Sequence, residues 1–321
     1  MCKSLVGDTP MIKIDYTYND VPGSVYAKLE YYNFSGSIKD RIAQRIVSLA
    51  EKSGALKPGQ PIVEMTSGNT GIAFAALGTR LKHPVHIFMP DWASVERIKL
   101  MEMYGATMHL ISAEEGGFEG ALKYASEFAA DTGAFEPLQF ENCQNPLAHY
   151  FGTGAEILRQ LPSVTDFVAG VGSGGTLIGV ARRLKASGRV NACAVEPDAV
   201  PLLSGGEIKG PHRIEGIGDS FIPPIIDRKL IDKVYDIYDM DAVAMSSMLA
   251  RELGLGVGIS SGANFLASVL QQGGDPDKRV VTVFSDDNKK YLSTVLSSRP
   301  EVTESMITYG IRLLGFSEVT G

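Results

Sequence analysis

The chain has 321 residues, 44% of them hydrophobic and 21% charged, a balance that suits one large or two ordinary globular domains with a substantial core. A net charge of −7 without any basic block argues against a nucleic-acid partner. No apolar run approaches the length of a membrane span, and "MCKSLVGDTP" lacks the apolar centre of a signal peptide, so the expected location is the cytoplasm.

Along the chain, short β-rich apolar runs alternate with longer helical patterns. "SVYAKLEYY" reads as a strand, and "DRIAQRIVSLAEKSG" as a helix ending on Gly54. "PIVEMT" is a strand and "TGIAFAALGTRL" a helix; "VHIFMP" is a strand and "SVERIKLMEMYG" a helix capped by Ser94 and stopped at Gly105. "TMHLIS" precedes the helical "FEGALKYASEFAADTG". Then come "DFVAGV", "TLIGVARRLKASG", "NACAVEP", the helical "AVAMSSMLARELG", and "VVTVFS". Strands without clean alternation, each followed by a helix, imply parallel sheets covered on both faces. The last stretch, "RPEVTESMITYGIRLLGFSEVTG", reads as an appended segment of no evident role. Cys2, Cys143 and Cys193 fit neither a disulfide framework nor a zinc site, and the five histidines show no metal-ligand spacing, so no metal is expected.

Four features carry chemistry. Lys39 stands in "NFSGSIKDR" at the mouth of a helix, where a cation is mildly unfavourable and needs another reason to be there. Ser35 or Ser37 would cap that helix, with Asp40 in its first turn. "GVGSGGT", residues 170–176, lies between strand and helix and can aim backbone N–H groups at a phosphate. "TSGNTG", residues 66–71, offers hydroxyls and an amide at a helix start, a good carboxylate receptor. "GISSGAN", residues 258–264, is a third such turn, where Ser260 or Ser261 is by itself more simply a cap.

Gly170, Gly172 and Gly175 also match the dinucleotide fingerprint, with Glu196 as a ribose-binding acid, so a nicotinamide-dependent oxidoreductase is a rival reading. Hydride transfer leaves Lys39 and residues 66–71 without a task. A pyridoxal phosphate enzyme uses all four features: a lysine for the Schiff base, a phosphate cradle, a carboxylate site and a partner for the ring nitrogen.

The chain resembles the cysteine synthase (O-acetylserine sulfhydrylase) and cystathionine β-synthase family of tryptophan-synthase-like pyridoxal phosphate enzymes. The resemblance rests on "VGDTPMIKI", "GSIKDR", "TSGNTG", "SVERIKLMEMYGA", "QFENCQNPLAHY", "GVGSGGTLIG", "GPHRIEGIGDSFIP", "GISSGA" and "KKYLST", in that order. It implies two three-layer α/β domains with parallel-rich twisted sheets. Residues 1–38 and 146–321 would form a larger cofactor-binding domain, and residues 39–145 a smaller mobile substrate-binding domain. It implies that Lys39 carries the cofactor and moves protons, and that Gly172, Ser173, Gly174, Gly175 and Thr176 hold its phosphate. Asn69 would contact the ring hydroxyl, and Ser260 would face the ring nitrogen. Thr66, Ser67, Thr70 and Gln139 would receive the substrate carboxylate. The implied reaction is β-replacement through an aminoacrylate: O-acetylserine plus sulfide giving cysteine, or a cysteine-consuming or cystathionine-type reaction that releases hydrogen sulfide. The co-substrate would be a thiol, sulfide or water. The resemblance further implies a homodimer and allows a complex with serine acetyltransferase.

The chain departs from the family pattern at three places. Phe34 stands where proline is usual, and "NKKYLST" replaces "SGERYLST". Asp219, in "GIGDSF", stands where relatives commonly carry an uncharged residue. It is expected at the active-site entrance, where a carboxylate would repel hydrosulfide and orient or deprotonate water or a thiol. Neither a haem-binding extension before residue 6 nor a regulatory domain pair after residue 294 is expected.

Overall fold

The computed structural model describes residues 5–66, 68–298 and 300–319. In chain order its first half contains β1 (Met11–Tyr18), β2 (Val21–Leu29), α1 (Lys39–Ser53), β3 (Ile62–Met65), α2 (Asn69–Leu81), β4 (Val85–Pro90), α3 (Val95–Met103), β5 (Thr107–Ile111) and α4 (Gly117–Thr132). The second half contains α5 (Gln144–Phe151), α6 (Thr153–Gln160), β6 (Asp166–Gly170), α7 (Gly175–Lys185), β7 (Asn191–Pro197), β8 (Lys233–Ile237), α8 (Asp239–Leu253), α9 (Ile259–Gln272), β9 (Val280–Phe284) and β10 (Ile311–Glu318).

The strands form two sheets. One has seven strands in the order β10-β1-β2-β9-β6-β7-β8; β1 pairs antiparallel with β10 and β2, and every pairing from β2 to β8 is parallel. The other is the parallel trio β3-β4-β5. Strands β6 and β9, at the centre of the larger sheet, are apolar on both faces because helices cover both. One face packs Val25, Val168 and Val280 against Val243 of α8 and Phe265 of α9. The other packs Phe167 and Val281 against Leu177 and Val180 of α7 and Ile157 of α6. The small sheet repeats the plan, with Ile62 and Ile87 against α1 and α2 on one side and Val63, Met65 and Phe88 against α4 on the other. Two three-layer α/β units therefore share one chain, as the sequence implied.

The terminal segment without evident role is the edge strand β10. It runs antiparallel to β1, from Ile12 opposite Glu318 to Tyr18 opposite Ile311. Among the described residues, Cys143 is exposed and Cys193 buried, both as free thiols. No helix of the described residues is long and apolar enough to cross a membrane.

A buried charge cluster sets where α1 begins. Arg41 donates from Nε to Glu30 at 2.5 Å and from Nη1 to Glu156 at 2.7 Å, and Lys28 Nζ lies 2.7 Å from Glu156. Arg41 and Lys28 hold the Glu156 carboxyl well below the usual carboxylate range. Ion pairs this dry cost desolvation, and each member is kept by its full set of partners. Asp40, one residue earlier, accepts from the Ser35 N–H at 2.8 Å and the Ser35 hydroxyl at 2.7 Å. Ser35 thus serves Asp40 instead of capping the helix, and Ser37 Oγ accepts from the Lys39 N–H at 3.3 Å. Ser94 likewise gives its hydroxyl to the Lys290 carbonyl, not to its own helix. Lys39, the first residue of α1, is thereby fixed between Ser37 on one side and Asp40 and Arg41 on the other.

Candidate active site

The strand ends of both sheets open on one cleft. Lys39, Asn69, Gly172, Ser173 and Gly216 line both halves of it. One half adds Thr66, Thr70, Arg97, Gln139, Phe140 and Asp219; the other adds Gly174, Gly175, Thr176, Glu215 and Ser260. The residues singled out from separate motifs therefore meet in space, apart from Ser67, which lies outside the described residues. In open parallel sheets this is where ligands sit, past the carboxyl ends of the strands.

Burial disfavours the Lys39 ammonium and lowers its pKa, while the carboxylates of Asp219 and Asp286 pull the other way. Burial likewise raises the pKa of Asp219, and the charges of Lys39 and His212 oppose that rise. An amine and a carboxyl are thus coupled across the cleft, each destabilised as an ion by the dry surroundings and stabilised by the other.

The loop before α7 requires glycine. Gly174 has φ +83°, in the left-handed region. A Cβ on Gly175 would stand 1.8 Å from Asn145 Oδ1, and one on Gly172 2.4 Å from the Gly216 carbonyl. The first-turn N–H groups of α7 have no intrahelical acceptor and face the cleft with the positive end of the helix dipole. Asn145 Nδ2 donates to Ser173 Oγ at 2.9 Å and to the Gln139 carbonyl at 2.8 Å, tying the phosphate-type loop to the carboxylate-type loop. His149 lies within hydrogen-bond reach of Thr153 Oγ1 at 3.0 Å and of Thr176 Oγ1 at 3.3 Å. Burial, helped by Arg41 and Lys39, holds its pKa well below the usual histidine range, so it is a neutral support for Thr176.

The opposite wall is equally specific. Thr70 Oγ1 donates to Gln139 Oε1 at 2.8 Å, and Gln139 Nε2 donates to the Met65 carbonyl at 3.3 Å. Thr66 Oγ1 accepts from the Gly68 N–H at 3.2 Å. Asn69 donates to Asp286 Oδ2 at 2.8 Å, and its Oδ1 is buried without a partner. Ser260, in the first turn of α9, is buried beside the cleft, whereas Ser261 Oγ accepts from the Ser285 N–H and so ties α9 to the end of β9. Phe140 and Phe221 meet edge-on with centroids 5.1 Å apart, joining the loop after Gln139 to the loop after Asp219.

Several residues of the cleft escaped the sequence reading. Asp286 is fully buried; it accepts from Asn69 and from the Tyr291 hydroxyl and acts on Lys39. Its signal was an acid immediately after the apolar strand "VVTVFS". Arg97 pairs with Glu215 across the cleft and stacks on Tyr291, 4.7 Å from the ring centroid. Asn145 and His149 stood inside "QNPLAHY", quoted for its likeness and not for its chemistry. Glu196, the acid of the oxidoreductase reading, instead accepts from the Leu203 and Ser204 N–H groups, both at 2.8 Å.

One lysine at the meeting point of two parallel α/β units, faced by a glycine cradle and a ring of polar amides and hydroxyls, defines a cofactor-dependent α/β enzyme. A family model described as pyridoxal-phosphate dependent enzyme matches residues 3–286, and the chain belongs to that family. It is 42% identical over 302 residues to a cysteine synthase of Staphylococcus aureus, covering 92% of this chain and 96% of the relative. The solved structure of a hydrogen sulfide-producing enzyme from Fusobacterium nucleatum superposes with a TM-score of 0.92 at 45% identity, over 97% of this chain and 95% of that one. An O-acetylserine sulfhydrylase of Entamoeba histolytica superposes with a TM-score of 0.87 at 34% identity, over 97% and 95% of the two chains. The family match supports the pyridoxal phosphate reading over the oxidoreductase one.

The site fits the cofactor on its own terms. Gly172 and Gly175 leave space that a Cβ would fill, in front of free helix N–H groups suited to a phosphate. The orphaned Asn69 Oδ1 is a polar atom in need of a ligand group.

Proposed function

We propose that this enzyme performs β-replacement on a β-substituted alanine, as a cysteine synthase, and that Asp219 tilts the same site from sulfide capture toward sulfide release from cysteine. The observation that carries the tilt is the partly buried Asp219 carboxyl coupled to Lys39 inside the cleft. Likeness to both a cysteine synthase and a hydrogen sulfide-producing enzyme supports the pair of directions.

Pyridoxal phosphate, when bound, supplies an aldehyde that takes up the amino group of the substrate and a conjugated ring that makes its α-proton acidic. In this proposal Lys39 would anchor the cofactor and, once its Nζ is free, would take the α-proton of the substrate. The lowered pKa of Lys39 keeps more of it in the basic form at neutral pH, which suits a proton acceptor. Residues 172–176 bind the phosphate, Asn69 the ring hydroxyl, and Thr66, Thr70 and Gln139 the substrate carboxylate. Ser260 would face the ring nitrogen as a neutral hydroxyl, which supports a weaker electron sink than a carboxylate would. That favours loss of the β-substituent over transamination. Asp219 stands where the incoming or departing sulfur passes; as an anion it repels hydrosulfide, and as an acid it protonates the departing thiolate.

The division into a larger unit, residues 1–38 and 146–321, and a smaller mobile one, residues 39–145, belongs to the same proposal, supported by the separate sheets and cores of the two parts. So do a homodimer, a cytoplasmic location and a complex with serine acetyltransferase, supported by likeness to the cysteine synthases.

Replacing Asp219 by alanine tests the tilt. The ratio of cysteine synthesis, from O-acetylserine and sulfide, to sulfide release from cysteine is expected to rise about tenfold or more, a shift of about 1.4 kcal/mol between the two directions. Equal ratios in the variant and the parent would show that Asp219 does not select the reaction, and a plain cysteine synthase would remain.

A further inference from the structure

Asp219 sits on the long connection from β7 to β8, residues 198–232, and a side chain on a loop is aimed only as well as the loop is held. The residue before it receives the hold. Gly218 has φ +75°, in the left-handed region, and a Cβ there would stand 2.5 Å from Pro197 Cδ. Its N–H donates to the Val171 carbonyl at 2.9 Å, beside the glycine loop. Its carbonyl accepts from His212 Nε2 at 3.0 Å. The other ring nitrogen is also engaged, because the Ile214 N–H donates to His212 Nδ1 at 3.2 Å. A carbonyl only accepts and an amide N–H only donates, so the ring carries a proton on Nε2 and a lone pair on Nδ1. The imidazole thus closes the loop segment 212–218 on itself.

We propose that His212 is a positioning residue for Asp219 and, through it, a determinant of whether the site captures or releases sulfide. Its Nε2–H holds the planar peptide that joins Gly218 to Asp219. This rests on the reading of Asp219 as the group that tilts the site toward sulfide release.

Glycine is the residue least able to restrain the peptide that follows it, so the direction in which Asp219 leaves Gly218 depends on outside partners. The Val171 carbonyl fixes the peptide before Gly218, and His212 fixes the one after it. His212 is not among the described residues that line the cleft, whereas Asp219 is, so the ring acts through Asp219 and not on the substrate. Farther along, the edge-on contact of Phe221 with Phe140 holds the loop by apolar packing. Loss of the Nε2 donor therefore loosens the Asp219 carboxyl while the loop stays in place. The carboxyl then spends less time on the path of the departing sulfur, and the balance moves toward that of an enzyme without it.

The test compares the ratio of cysteine synthesis to sulfide release, on pyridoxal phosphate-loaded protein, in the parent, His212→Gln, His212→Asn, Asp219→Ala and the double variant His212→Asn with Asp219→Ala. A glutamine amide reaches where Nε2 stood and can still donate to the Gly218 carbonyl, whereas an asparagine amide reaches only the Nδ1 position. Both are uncharged, so a difference between them comes from position and not from the charge that His212 can place near Asp219. His212→Asn is expected to raise the ratio about threefold or more, the size of one lost hydrogen bond, and His212→Gln to stay near the parent. In the Asp219→Ala background, His212→Asn is expected to change the ratio no further, because nothing remains to be aimed. Cofactor content, and the absorbance change on adding O-acetylserine, are expected to match the parent's, since Ser173 and Gln139 keep their own partners. Where thermal unfolding shows that His212→Asn does not fold, His212→Ala takes its place. The parent's ratio in folded His212→Asn, equal shifts in His212→Asn and His212→Gln, or the same shift with and without Asp219 overturns the positioning role while Asp219→Ala still moves the ratio. The parent's ratio in Asp219→Ala overturns the reading beneath it, and this inference with it.

Discussion

Lys39→Ala is expected to abolish turnover, by about a thousandfold or more, while the protein remains folded. Loss of a positioned acid–base group alone costs about a hundred- to ten-thousandfold, and in this proposal Lys39 also anchors the cofactor. The side chain stands in the cleft, and its ammonium is disfavoured by burial, so its removal takes away an unfavourable group as well as a favourable one. Asp219 and Asp286 lose their nearby cation, and the Asp219 carboxyl in turn shifts further toward its neutral form. The α1 anchor survives, because Arg41 and Asp40 carry it through Glu30, Glu156 and Ser35. Turnover and thermal unfolding measured on the same preparation separate the two effects. A stable variant that retained the parent's rate would remove Lys39 from the chemistry.

Gly175→Asp is expected to lose the cofactor, to below about a tenth of the parent's content, since a loss of 1.4 kcal/mol is already tenfold. The new Cβ would fall 1.8 Å from Asn145 Oδ1, so either the loop or Asn145 must move. Asn145 cannot move alone, because its Nδ2 holds both Ser173 and the Gln139 carbonyl. The added carboxylate would also repel a phosphate at the same helix start. Gly175→Ala, with the clash but no charge, should fall between the two. Pyridoxal phosphate content, measured after denaturation of the purified protein, checks the series. Undiminished content in the Asp variant would place the phosphate elsewhere.

Which parts of this molecule can be read from its sequence follows from where the determinants lie. The turns at residues 66–71, 170–176 and 258–264 are legible because glycine, hydroxyl and amide residues between an apolar run and a helix have a local cause. Strand β10 is not, because its pairing with β1 joins residues some 300 apart, and its outer positions, such as Leu314 and Phe316, are exposed as in a loop. Helices α5 and α6 are hidden by Pro146, in the first turn of α5, and by Gly152, which separates the two. The buried acids are the hardest. Glu30, Glu64, Glu156 and Asp286 each read as an ordinary charge, and only packing shows which are paired with cations, which hold backbone N–H groups and which face the cleft. Asp219 was found because it broke a familiar frame, not because the chain around it announced a site.

The two directions of one reaction, run side by side, test the account most directly. Purified protein loaded with pyridoxal phosphate is given cysteine in one arm, and O-acetylserine with sulfide in the other, with free sulfide and cysteine measured in both. The account predicts sulfide release in the first arm and cysteine formation in the second, both lost in Lys39→Ala. A cofactor-loaded parent that does neither, or one whose two activities survive without Lys39, would contradict it.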